Sequence, residues 1–280
     1  MKSPVNLRKR AVRLTVGGAV LAVAAAVIPA TTAFAAKGDE PAASHQAAKP
    51  TVVLVPGAWA DGSSWDGVFA DLHHDGYTVD IAPNPLAGVA SDSAYLASYL
   101  QSITGPIVLV GQSYGGFLIT NAATGNANIK ALVYVDAFIP AQGETLSELT
   151  DQFPGSQVTE SALNFVPEPG GVTDAYIKPA DFRAILANDL PAWQAAELAA
   201  AQRPIAASAL NEPSGTPAWL TIPSWDVIGT EDHAVPLAAQ EFMAHRAGST
   251  VTEINAAHLS MISHPNQVTA VIDDAARHTS

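Results

Sequence analysis

Short runs rich in apolar and β-branched residues recur along this chain, and turn residues stop them. They fall at Thr51–Val55 (ahead of Pro56-Gly57), Thr78–Ala82, Ile107–Val110, Ala131–Val135, Ser224–Ile228 and Thr250–Ile254. Short runs of this kind, bounded by turn residues, predict strands buried on both faces, as in a parallel sheet. Helix-like segments lie between them, at about 64–74, 91–102, 114–124, 236–247 and 265–277. Strand alternating with helix predicts an α/β fold, a mostly parallel doubly wound sheet over residues 51–280.

The alternation stops between about 140 and 215. This stretch is rich in Pro, Gly and Ala, with helical patches near 144–151, 174–188 and 191–202 and no convincing strand. Phe153, Phe165, Tyr176, Phe182 and Trp193 make it too apolar for a surface excursion. A long insertion inside a compact domain is usually functional, and ligands of open α/β sheets bind at the carboxyl edge. The expectation is a helical cap insertion, about 141–215, over that edge.

The N-terminus changes the picture of the whole chain. Lys2, Arg8, Lys9, Arg10 and Arg13 precede an apolar stretch from Leu14 to Phe34, and Ala33-Phe34-Ala35 supplies a small-residue cleavage site. That layout predicts a secretory signal peptide over 1–35, followed by a flexible leader over 36–50. Gly17, Gly18 and Pro29 interrupt the apolar stretch and argue against a retained membrane anchor. Losing those five basic residues takes the formal net charge from −13 to about −18. With no basic patch, neither nucleic acid nor a membrane surface is an expected partner of the mature chain; a small-molecule substrate is. The chain has no cysteine, which excludes disulfides, thiolate metal sites and a cysteine nucleophile.

The candidate chemistry starts at Gly111-Gln112-Ser113-Tyr114-Gly115, a G-x-S-x-G sequence between a predicted strand and a predicted helix. On so tight a turn the serine takes strained dihedrals, and the small flanking residues let backbone pass. Ser113 is the candidate nucleophile, and it needs a base. His258 directly follows the last predicted strand, and His264 is its main rival. A carboxylate must fix the imidazole tautomer. Asp232 follows the strand Ser224–Ile228; Asp136, at the end of Ala131–Val135, and Glu231 are the alternatives. An oxyanion would need two backbone donors, here the amides of Ala58 and Tyr114. Trp59, Trp65 and Met261 are candidate substrate contacts, although each competes with a role in the core.

Three blocks of the sequence carry a resemblance: Val53-Leu54-Val55-Pro56-Gly57-Ala58-Trp59 with Trp65, Leu109–Gly116, and Leu132-Val133-Tyr134-Val135-Asp136-Ala137-Phe138-Ile139-Pro140. With Gly229–Pro236 and His258–Pro265, they resemble the α/β-hydrolase superfamily, in its branch of plant methylesterases, hydroxynitrile lyases and bacterial relatives. The resemblance implies an α/β-hydrolase fold, a Ser113–Asp232–His258 triad, and no metal or organic cofactor. It implies hydrolysis of a small to medium apolar carboxylic ester through an acyl-enzyme. A lactonase would use the same triad; a cofactor-free lyase, a perhydrolase or a non-catalytic binding protein are the remaining readings. Two departures stand out. Pro56 replaces the usual histidine of the first loop, and Leu259 stands where the hydroxynitrile lyases carry lysine.

Overall fold

The computed structural model describes residues 49–279. The expected signal peptide and nearly all of the leader lie outside the described residues. The main sheet has six strands: β1 Thr51–Val55, β2 Thr78–Ile81, β3 Ile107–Gln112, β4 Ile129–Val135, β8 Ser224–Gly229 and β9 Thr250–Ile254. They run in the order β2-β1-β3-β4-β8-β9, every pairing parallel. Every residue of β3 and β8 is buried. That is why Ile107–Val110 of β3 reads as a solid apolar run, while β8 buries Ser224 and Asp226 along with its apolar residues.

The helices covering the sheet carry their own stop and start signals. α1 spans Asp66–His74, α2 Val89–Gln101, α3 Tyr114–Ala122 and α7 Leu237–Ala247, which ends on Gly248 at φ 68°. That left-handed cap suits glycine. After the short α8, Ser260–Ser263, the last helix α9 runs Pro265–Arg277 with Pro265 opening its first turn. Its Val268, Val271, Ile272, Ala275 and Ala276 form one buried stripe against the sheet.

Strand order places the site. The chain enters at β1, steps outward to β2, then returns past β1 to β3, so the direction of winding reverses between β1 and β3. The loops leaving the carboxyl ends of these two strands diverge and open a crevice. They carry Gly57–Trp59 and Ser113.

The segment between β4 and β8 corrects the expectation of an all-helical cap. It holds α4 Leu146–Asp151, α5 Pro179–Leu186 and α6 Ala192–Ala201, but also β5 Leu163–Pro167, β6 Thr173–Ile177 and β7 Ile205–Ala206. These strands form a second, antiparallel sheet in the order β5-β6-β7. Residues 174–177, expected as helix, are therefore strand. β5 leaves four of its five residues exposed, so it shows no inward–outward alternation. The hairpin signal lay in the turn: Gly170 and Gly171 both have positive φ, 99° and 89°.

Candidate active site

Ser113 sits between β3 and α3 at φ 53° and ψ −121°. A non-glycine residue in that region is strained by about 1–3 kcal/mol and persists only where its surroundings hold it. Here the Ser113 amide donates to the Val135 carbonyl at 3.2 Å, and its own carbonyl accepts from Gly116 at 2.9 Å and Phe138 at 3.3 Å. The flanking glycines are steric necessities: a Cβ on Gly111 would stand 2.6 Å from the Gly115 carbonyl oxygen, and one on Gly115 2.6 Å from that of Val55.

His258 lies in the loop after β9 and is buried. Its Nε2 is 2.8 Å from Ser113 Oγ, and its Nδ1 is 2.7 Å from Asp232 Oδ2. Asp232 is itself fixed. Its Oδ1 accepts from the Ala234 and Val235 amides at 2.7 and 2.9 Å, and its Oδ2 from Gln240 Nε2 at 3.0 Å. Burial draws the His258 pKa down, but the charge and hydrogen bond of Asp232 outweigh it, leaving a net rise above 6.5. An imidazole poised this way is a competent proton acceptor for a hydroxyl.

The alternatives are placed elsewhere. His264 caps α9, with Nδ1 2.8 Å from Ser263 Oγ. Glu231 is exposed, and its carbonyl accepts from Asn188. Asp136 is fully buried, but its two oxygens face amides: Gly229 at 2.9 Å and Ser260 at 3.2 Å. Burial and then the Asp232 charge push the Asp136 carboxyl up to about 8.

The loop after β1 gives a reason for the Ala58 assignment. Pro56 has no N–H, the Gly57 amide donates to Gln112 Oε1 at 3.2 Å, and the Trp59 amide donates to the Arg203 carbonyl at 3.0 Å. Ala58 N–H lies between two committed amides and has no acceptor among the described residues, and the same holds for Tyr114 N–H. An anionic oxygen entering beside Ser113 is the partner such a pair can serve.

Above Ser113 lies a cavity of about 650 Å³. Trp59, Phe138, Leu146, Phe153 and Phe165 give it an apolar lining, and Asp151 and Glu160 add two carboxylates. Trp59 also donates from Nε1 to the Ala175 carbonyl in β6 at 2.9 Å, tying this loop to the cap. Trp65 and Met261 do not line the cavity, which corrects their expected role. Both are wholly buried in the core, because Trp65 closes the 3-10 turn Gly62–Trp65 and Met261 lies on α8, which packs against α1. Sequence reading missed Gln240 and Gln112, since a lone glutamine inside an apolar run carries no signal until its partners are known.

This architecture is shared with known proteins. Residues 52–271 match the pattern of the alpha/beta hydrolase family. Over 254 residues the chain is 27% identical to the alpha/beta hydrolase nvfD of Aspergillus novofumigatus, covering 81% of this chain and 97% of that one. A shorter stretch of 110 residues is 33% identical to a carbendazim hydrolyzing esterase of Nocardioides, covering 35% of this chain and 46%, about half, of that enzyme. Among solved structures, polyneuridine aldehyde esterase superposes with a TM-score of 0.70 at 20% identity, over 81% of this chain and 99% of that one. Likeness at that identity speaks for the fold, and the family pattern spans the sheet and both loops that meet at Ser113: the chain belongs to the alpha/beta hydrolase family.

Proposed function

We propose that this protein is a secreted serine hydrolase that cleaves a carboxylic ester of a small to medium apolar substrate. The observation that carries the reading is the unbroken hydrogen-bonded line Ser113–His258–Asp232, which meets the cavity at Ser113. Ser113 Oγ attacks the ester carbonyl while His258 Nε2 takes its proton. The resulting oxyanion sits on the Ala58 and Tyr114 amides. Collapse expels the alcohol, protonated by His258, and leaves an acyl group on Ser113. Water then enters, gives its proton to His258 and attacks the acyl carbonyl; the acid departs and Ser113 regains the proton. Asp232 stays ionised and stabilises the imidazolium.

The cavity supports the proposed substrate class. A volume of about 650 Å³ with an aromatic lining suits an ester of moderate size, and two of the related proteins are named as esterases. Export rests on the N-terminal segment 1–35. The test is turnover of a graded panel of p-nitrophenyl esters and lactones by the purified chain and by Ser113→Ala. Ester turnover that vanishes in the variant is expected; an inactive parent, or an unimpaired variant, overturns the reading. Export is checked by N-terminal sequencing of protein from culture medium, where a chain starting at Ala36 is expected.

A further inference from the structure

The G-x-S-x-G pattern leaves its second position open, yet in this fold Gln112 is buried and both ends of its side chain are used. Oε1 accepts from the Gly57 amide at 3.2 Å, and Nε2 donates to the His258 carbonyl at 3.0 Å. One planar amide therefore bridges three segments: the elbow that carries Ser113, the loop that carries Ala58, and the loop that carries His258. The fit is close. A Cβ on Gly57 would lie 2.5 Å from Gln112 Oε1 and 2.8 Å from Ser113 Cβ, so the first loop rests directly on the elbow.

We propose that Gln112 is a positioning residue, which sets the spacing between His258, Ser113 and the Ala58 amide. This rests on the roles given above to Ser113, His258 and Ala58. The bridge requires an acceptor and a donor on opposite branches of one side chain, at a reach that asparagine lacks and that an ionised glutamate cannot serve. Holding the Gly57 amide on Oε1, while Arg203 holds that of Trp59, leaves the amide between them free for substrate. Holding the His258 carbonyl fixes the backbone from which the imidazole reaches Ser113.

Two variants of the full chain test this. Gln112→Met keeps the volume and loses both hydrogen bonds. Gln112→Glu keeps the shape and the bond from Gly57, but turns its second oxygen against the His258 carbonyl unless that oxygen carries a proton. With a p-nitrophenyl ester, Gln112→Met is expected to lower kcat by roughly 10- to 100-fold, the scale of a small misplacement of reacting groups. KM should stay within about threefold. For Gln112→Glu, the ratio of its kcat to that of the parent should climb as pH falls from 8 towards 5, as protonation restores a donor. A merely structural glutamine would lower the melting temperature in both variants and leave kcat and that ratio flat. Parent-like kcat in folded Gln112→Met, parent-like kcat in folded Gln112→Glu at pH 8, or a ratio independent of pH, overturns the proposal. The glutamate variant decides the matter if the methionine variant does not fold. A parent protein that turns over no ester overturns the hydrolase reading instead.

Discussion

His258 Nδ1 and Asp232 Oδ2 stand 2.7 Å apart, while Asp136, equally buried, spends both oxygens on the amides of Gly229 and Ser260. Two carboxylates at the same end of the sheet thus have different work. One meets the imidazole; the other ties the end of β8 to the start of α8. Asp232→Asn is expected to lower kcat by on the order of 1,000- to 10,000-fold, because an amide favours the wrong imidazole tautomer. Asp136→Asn should cost at most about tenfold, through loosened loops. Steady-state kinetics of the two variants decide the assignment, and the reverse ranking would make Asp136 the acid.

The same pair sets two pH dependences. The rise in the His258 pKa above 6.5 places the acid limb of kcat/KM above that value, and Asp232→Asn should move it downward by removing the charge responsible. Asp136 acts on stability. Its folded pKa of about 8 exceeds the ordinary 3.8, so between those limits the folded state holds a proton that the unfolded state releases. Stability from this group is therefore lost as pH rises through that window. Melting curves from pH 4 to 8 should fall less steeply for Asp136→Asn than for the parent.

The two tryptophans of the first loop region should separate cleanly. Trp65 is wholly buried outside the cavity, so Trp65→Ala is expected to cost about 3–5 kcal/mol of stability with little change in KM. Trp59→Phe removes the donor to the Ala175 carbonyl and loosens the cap. A lost hydrogen bond of about 1 kcal/mol corresponds to roughly a fivefold higher KM. Denaturant titration and kinetics on both variants check this.

Asp151 and Glu160 line the cavity, whereas none of its lining residues is Lys or Arg. An ester bearing a free carboxylate should thus react with kcat/KM roughly 10-fold below that of a neutral isostere, and added salt should narrow the gap. The double variant Asp151→Asn, Glu160→Gln should narrow it as well. Equal rates for the two substrates at low salt would remove electrostatics from the specificity of this site.

Much of the core could be read directly from the chain because burial on both faces leaves unbroken apolar runs. Thr51–Val55 is expected as a strand and is β1 residue for residue, with four of its five residues buried; Thr250–Ile254 is likewise β9, but as an edge strand that buries only Ile254. Ser113, His258 and Asp232 each follow a predicted strand, and the folded chain brings all three together. The cap was harder to read. β5 is mostly exposed and β7 has only two residues, so backbone pairing with β6, not patterning, makes them strands. Gln112, Gln240 and Asp136 owe their roles to partners more than 90 residues away or to a buried carboxylate, and no local spacing announces such partners.

The central claim is that Ser113 is a nucleophile activated by His258. Incubating the folded protein with a fluorophosphonate probe and mapping the adduct by peptide mass spectrometry tests it most directly. One adduct on Ser113 is expected, absent in Ser113→Ala and formed far more slowly in His258→Ala. An unlabelled protein, or an adduct on another residue that survives Ser113→Ala, would contradict it.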